Sequence, residues 1–359
     1  MRSVLNPLAF VAILGPMSIL SLFAADKNQP EPVKGYPEGI RAVTYPCPAD
    51  QSEQPALFWA PERIDPQNPV PLLVTLHTWS GDYRQAGGEV KYAEWCQQQD
   101  WVFLHPNFRG PNRKPDAMGS DLMIADIRAA VEWAKSQAAI DETRIYAIGV
   151  SGGGHATQLL AGRTPEIWAG ISSWCGISDI AAWHAQTLNA GRGKYAQNIE
   201  SALGGPPDSA ERKADAARRS PLTWLENAKD VPLDINHGIT DGRSGSVPFT
   251  HSLHAWNAVV PASERLDEKT IEEFYQSQEP PTGIGEGKNE SDELYGNRPP
   301  LFRLEHGNTR LTLFQGGHEI VHEAALNWLA AQRKGRPVNW APPKVGSLSV
   351  TDDDKQSGK

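Results

Sequence analysis

Cysteine is scarce. Cys47, Cys96 and Cys175 are the three in 359 residues, so at most one internal disulfide can form and a disulfide-stapled scaffold is excluded. No CxxC pair or Cys/His cluster has zinc-ligand spacing, and no structural metal is expected. Positive charge is also short: Lys and Arg number 34 against 43 Asp and Glu, a formal net charge of -9. That balance argues against a grip on nucleic acid or an anionic membrane. It suits a small or neutral substrate. No internal repeat is found, and no long apolar run follows the first segment.

That first segment reads MRSVLNPLAFVAILGPMSILSLFAADKNQP. One arginine, an apolar stretch and then small residues make residues 1–25 an expected export signal, cut near Ala24 or Ala25. Residues 3–25 are nearly long enough to span a bilayer, so a retained anchor is the competing reading, which Pro16 weakens. A cleaved signal places the mature chain outside the cytoplasm, secreted or periplasmic, with membrane contact only if the signal stays.

The remainder is long enough to bury about three quarters of its unfolded surface, and residues 26–335 are expected to form one α/β domain. Two short strands, Gly39–Tyr45 and Pro55–Ala60, form a leading hairpin. The continuous apolar run Val70–His77 is what a strand covered on both faces needs. Helices then alternate with strands: Ala86–Gln99, Trp101–His105, Asp121–Ala134, Arg144–Val150, Trp168–Trp174, Val231–Asn236, Phe249–Val259, Leu311–Phe314 and Ile320–Gln332. This rhythm predicts a doubly wound, mostly parallel sheet. Residues 178–226, helix-prone at 195–203 and 209–219, read as an inserted helical cap. The Gly/Pro-rich stretch 277–300 reads as a mobile loop, and 336–359 as a disordered tail.

Gly149-Val-Ser-Gly-Gly153 fits G-x-S-x-G with an apolar strand entering and a helix leaving. In such an elbow the serine takes strained dihedrals, and the flanking glycines remove side chains that would collide. A serine hydroxyl needs a base to take its proton and a carboxylate to orient that base, in chain order Ser, Asp/Glu, His. Asp241 lies in the loop beyond Val231–Asn236, and His318 in the loop beyond Leu311–Phe314 after two glycines. Ser151, Asp241 and His318 are therefore the expected catalytic residues. The rivals are weaker by position: Asp234 is inside a strand, Asp179 follows an earlier one, His155 and His322 are on helices, and His237 is placed to steady the acid loop.

An oxyanion needs two preorganised donors. One is expected from the N–H of Gly152 at the start of the elbow helix. The other comes from the loop Thr78-Trp-Ser-Gly-Asp82, with Trp79 preferred and Thr78 second. Trp79 and Trp174 are candidate substrate contacts, Trp183 and Trp224 further aromatic platforms, each opposed by ordinary core packing.

Taken in order, LHTWSGDY, GVSGGGH, SWCGISD, SPLTWL, HGITDGRSGSVPFTHS and FQGGHE make residues 65–333 resemble the catalytic domain of prolyl-oligopeptidase-like α/β-hydrolases. The resemblance implies an α/β-hydrolase fold, no cofactor, and the same Ser151, Asp241 and His318. It departs in three ways. About 40 residues separate the expected signal from the first core strand, where no propeller fits; His77-Thr-Trp replaces the usual His-Gly-x; and the Gly242–Val247 loop is longer than usual.

The leading expectation is a secreted serine hydrolase cleaving small-molecule or polysaccharide-linked carboxylic esters, acetyl or feruloyl among them, through an acyl-enzyme. The alternative is a serine peptidase, for which Arg109 and Arg243 are the available substrate anchors. A remote alternative is an inactive hydrolase-fold binding protein.

Overall fold

A computed structural model describes residues 32–285 and 292–348. Nine strands form one sheet: β1 Arg41–Cys47, β2 Ser52–Trp59, β3 Val70–Leu76, β4 Val102–Pro106, β5 Ile140–Val150, β6 Gly170–Trp174, β7 Leu233–Gly238, β8 Pro300–His306 and β9 Thr309–Phe314. Their spatial order is β1-β2-β4-β3-β5-β6-β7-β9-β8. The six strands from β4 to β9 in that order run parallel, while β1, β2 and β8 pair antiparallel at the two edges. With the helices below, this is the expected α/β-hydrolase fold.

The helices are α1 Gly88–Gln98, α2 Asp121–Gln137, α3 Gly152–Arg163, α4 Ile180–Asn189, α5 Gly193–Leu203, α6 Ala210–Arg218, α7 Thr250–Val259, α8 Glu268–Ser277 and α9 His322–Ala330. Side chains alternate along a strand, so the central strands feed two cores. Leu72, Val74 and Leu76 of β3 join Met123, Ile127 and Val131 of α2 and Leu159 of α3 on one face. Leu73 joins Tyr92 and Trp95 of α1 and Leu326 and Trp328 of α9 on the other. Burying each such side chain contributes about 1.5–3 kcal/mol, which is why these strands read as unbroken apolar runs.

Helices α4, α5 and α6 occupy the stretch between β6 and β7. They share a third cluster, in which Ile180, Trp183, Ile199 and Ala216 pack on Trp79 and Val247. Helices α8 and strand β8 lie outside the expected alternation: the polar face of α8 masks its two buried anchors, Ile271 and Phe274, and β8 begins at a proline.

Residues 1–31, which include the expected export signal, lie outside the described residues, and no helix among those described is long and apolar enough to cross a membrane. Of the stretch 277–300, residues 286–291 also lie outside them. Beyond these, Tyr295 is buried and donates its hydroxyl to Asn236 Oδ1 at 2.5 Å. The tail expected to be disordered departs from expectation as far as residue 348. Trp340 stacks on Trp328 with centroids 5.6 Å apart, and Asn327 Oδ1 accepts the N–H groups of Val345 and Gly346. Side chains without periodicity here dock singly onto α9.

Candidate active site

Strand β5 delivers Ser151 to the first position before α3. Ser151 has φ 61° and ψ −117°, a conformation that costs a residue with a Cβ about 1–3 kcal/mol. Two bonds hold it there: Ser151 N–H donates to Trp174 O at 2.9 Å, and His155 N–H donates to Ser151 O at 2.8 Å. A Cβ on Gly149 would lie 2.5 Å from the carbonyl carbon of Gly153. The turn therefore needs a glycine at 149. Ser151 opens into a cavity of about 470 Å³ that Gln85, Glu89, Tyr195, Ser246 and His318 also line.

Strand β7 runs into the loop that carries Asp241. The buried carboxylate takes four donors: Gly242 N–H at 2.8 Å and Val247 N–H at 3.1 Å on Oδ1, and His318 Nδ1 at 2.6 Å and His237 Nε2 at 3.0 Å on Oδ2. Burial pushes its pKa up, but the hydrogen bonds from His237 and His318 outweigh that and hold it well below the usual carboxylate range. His237 is the steadying residue that its position suggests, with Nε2 shared between Asp241 and Val247 O, and Nδ1 against Ser252 Oγ at 2.7 Å.

The loop after β9 is laced to the acid loop, Ile239 N–H and Thr240 N–H donating to Phe314 O and Gly316 O at 3.0 Å each. This brings His318 to Asp241. Since Nδ1 meets a carboxylate, the proton is assigned to Nδ1 and Nε2 is left as an acceptor facing the cavity. Ser246 Oγ lies 3.4 Å from that Nε2. Ser151 Oγ lines the same cavity without a bond to it among the described residues; such bonds commonly tighten only when substrate is present.

A Cβ on Gly152 would collide with the backbone nitrogen of Trp79, so the backbones that carry the two expected oxyanion donors approach closely. Thr78, the second choice, is engaged: its N–H and hydroxyl both donate to Gln85 Oε1, at 3.1 and 2.9 Å. Gln85 Nε2 in turn donates to Glu89 Oε1 at 2.7 Å, and burial pushes the Glu89 pKa up. Gln85, Glu89, Tyr195 and Ser246 were not among the sequence candidates. The unusual length of the 242–247 loop was the one available signal.

Other candidates sit elsewhere. Trp174, expected at the substrate, is a correction: it is fully buried, donates Nε1 to Ser172 Oγ at 2.8 Å and packs on Tyr295 and Phe314, because β6 is central and both its faces are covered. The Trp79 indole is also buried, edge-on to Trp183 at 4.6 Å. Trp224 stacks under Arg163. Arg109 is buried between Asp50 and Asp126, 2.7 Å from each, and Arg243 donates to the carbonyls of Tyr275 and Gln276. Asp234 pairs with Arg310 at 2.8 Å, Asp179 caps α4, and His155 donates Nδ1–H to Ile177 O at 2.9 Å. His322 does reach the cavity rim.

Cys175, Asp241 and His318 offer ligand atoms within 4.8 Å of one another. Their chemistry suits hydrogen bonding instead of metal. Burial pushes the Cys175 thiol well up, so it stays protonated and donates toward Glu319 O, and the Asp241 oxygens are already engaged.

The model of the prolyl oligopeptidase family matches residues 92–274. Dipeptidyl aminopeptidase BIII of Pseudoxanthomonas mexicana is 29% identical over 192 residues, 49% of this chain and 26% of that protein. Feruloyl esterase B of Thermothelomyces thermophilus is 23% identical over 212 residues, 56% of this chain and 69% of that protein. A solved acylaminoacyl peptidase of Pyrococcus horikoshii superposes with a TM-score of 0.48 at 16% identity, covering 61% of this chain and 34% of the other. The chain thus spans about a quarter of the aminopeptidase.

Proposed function

The chain belongs to the prolyl oligopeptidase family of serine hydrolases, and on that premise we propose that it hydrolyses carboxylic esters through an acyl-enzyme on Ser151. The observation that carries the reading is the meeting of a strained Ser151 and a carboxylate-bound His318 at one cavity. Ser151 Oγ attacks the ester carbonyl as His318 Nε2 takes its proton. The oxyanion is received by the N–H groups of Gly152 and Trp79. His318 returns the proton to the leaving alcohol, and Asp241 holds the imidazole and balances its charge. Water then releases the acid.

The ester preference is supported by what the two candidate arginine anchors and the two carboxylates that line the cavity, Glu89 and Glu319, are doing. Arg109 and Arg243 are committed elsewhere. Glu89 is held by Gln85 and Gly87, and Glu319 by Arg298 at 3.1 Å. No charged side chain among these is set aside to capture a peptide terminus. The likeness to a protein named feruloyl esterase, and the polar wall of Gln85, Glu89 and Ser246, make acetyl and feruloyl esters of polysaccharide the first substrates to test. Export, read from residues 1–25, belongs to the same proposal.

The test is a panel of acetyl, feruloyl and p-nitrophenyl esters beside dipeptidyl and prolyl amides, with Ser151→Ala as control. Ester turnover lost in the variant supports the reading. Amide turnover exceeding ester turnover would make the peptidase alternative correct.

A further inference from the structure

The hydroxyl within reach of His318 Nε2 belongs to Ser246, at 3.4 Å. Nδ1 is committed to Asp241, so Nε2 is the atom that must handle every proton of the reaction. Ser246 is fixed from two other directions. Its carbonyl accepts the indole N–H of Trp183 at 2.9 Å, and Trp183 is buried against Trp79 and Tyr195, with ring centroids 4.6 and 5.1 Å away. The next residue, Val247, donates its N–H to Asp241 Oδ1 at 3.1 Å. Ser246 therefore joins α4, the acid and the base at the cavity that Ser151 lines.

Deacylation sets a requirement that Ser151 cannot meet. Its oxygen is then esterified and has no proton to share, so the attacking water must lie against Nε2 with a second partner to aim it. A serine hydroxyl has one proton to donate and two lone pairs to accept with, and Ser246 presents one beside that nitrogen. We infer that Ser246 positions the hydrolytic water at His318 Nε2. The inference rests on the reading of Ser151 and His318 as nucleophile and base. In the step itself, the water oxygen bonds to the acyl carbon while Nε2 takes one water proton. The bond from that carbon to Ser151 Oγ then breaks, and the proton passes from Nε2 to Oγ as the acid leaves. Ser246 hydrogen-bonds the water throughout and ends unchanged.

Rapid mixing with p-nitrophenyl acetate separates acylation from deacylation, and quenched intact mass counts the acetyl-enzyme. Ser246→Ala is expected to acylate within twofold of the wild type yet turn over about tenfold more slowly, the size of one neutral hydrogen bond, with acetyl-enzyme accumulating. Ser246→Thr, which restores a hydroxyl, recovers most of the turnover, and both variants keep the wild-type melting temperature. Acylation and deacylation falling together, or neither changing, would overturn the role of Ser246 alone. Hydrolysis that persists in a folded Ser151→Ala protein overturns the underlying reading as well, with a different signature.

Discussion

The backbone nitrogen of Trp79 occupies the space that a Cβ on Gly152 would need. Residue 152 must be glycine for the loop after β3 to close on the foot of α3, and that closure sets the two proposed oxyanion donors together. Gly152→Ala is expected to push the Trp79 amide away and lower kcat by about 10²–10³, the effect of losing one oxyanion donor. Circular dichroism should still report a folded chain. A folded Gly152→Ala enzyme with near wild-type kcat would show that Trp79 N–H takes no part.

Asp241 to Asn keeps the shape of the acid while removing its charge. The amide cannot favour the Nδ1–H form of His318 as the carboxylate does at 2.6 Å, so kcat is expected to fall by about 10⁴, as in triads generally. His237 Nε2–H, 3.0 Å from Oδ2, loses its carboxylate acceptor at the same time, so the melting temperature is expected to fall as well. Steady-state kinetics beside a thermal melt separate the two effects.

Four buried histidines make a pH prediction. Burial holds His155 down to about 4, His105 and His251 to about 3, and His77 below its ordinary value. The unfolded chain, with histidines near 6.5, binds more protons than the folded one below that pH. Stability therefore rises with pH through the window from about 4 to 6.5 and levels off above about 7. Each such group contributes up to about 1.4 kcal/mol per pH unit inside the window. Asp241, whose folded pKa is depressed, loses its contribution as pH falls below the ordinary carboxylate range and so acts in the same direction. Denaturant midpoints measured from pH 8 to pH 4.5 should stay flat and then drop; a flat profile down to pH 4.5 would contradict the buried, neutral state of these rings.

Much of this architecture was legible in the sequence because its signals are local. Runs such as Val70–Leu76 need cover on both faces, and Gly149-Val-Ser-Gly-Gly153 follows one of them directly. The order Ser, Asp, His then selected three residues, two of which stand 2.6 Å apart across 77 positions of chain. What could not be read depends on packing between distant segments. Trp174 was expected at the substrate because it ends a strand, yet that strand is central and the ring is sealed on both sides. Ser246 is unremarkable in sequence, and its backbone is fixed beside the base by the indole of Trp183, 63 residues away, and by the bond from Val247 N–H to Asp241. The tail from 336 to 348 has no periodicity because it docks through single residues on α9 instead of through a repeated face.

The central claim is that Ser151 is acylated during turnover, and intact mass after a fluorophosphonate probe tests it most directly. The account predicts one adduct per chain, mapped by peptide digestion to Ser151, with none on a folded Ser151→Ala protein. A folded wild-type chain that stays unlabelled, or a label that persists in Ser151→Ala, would contradict it.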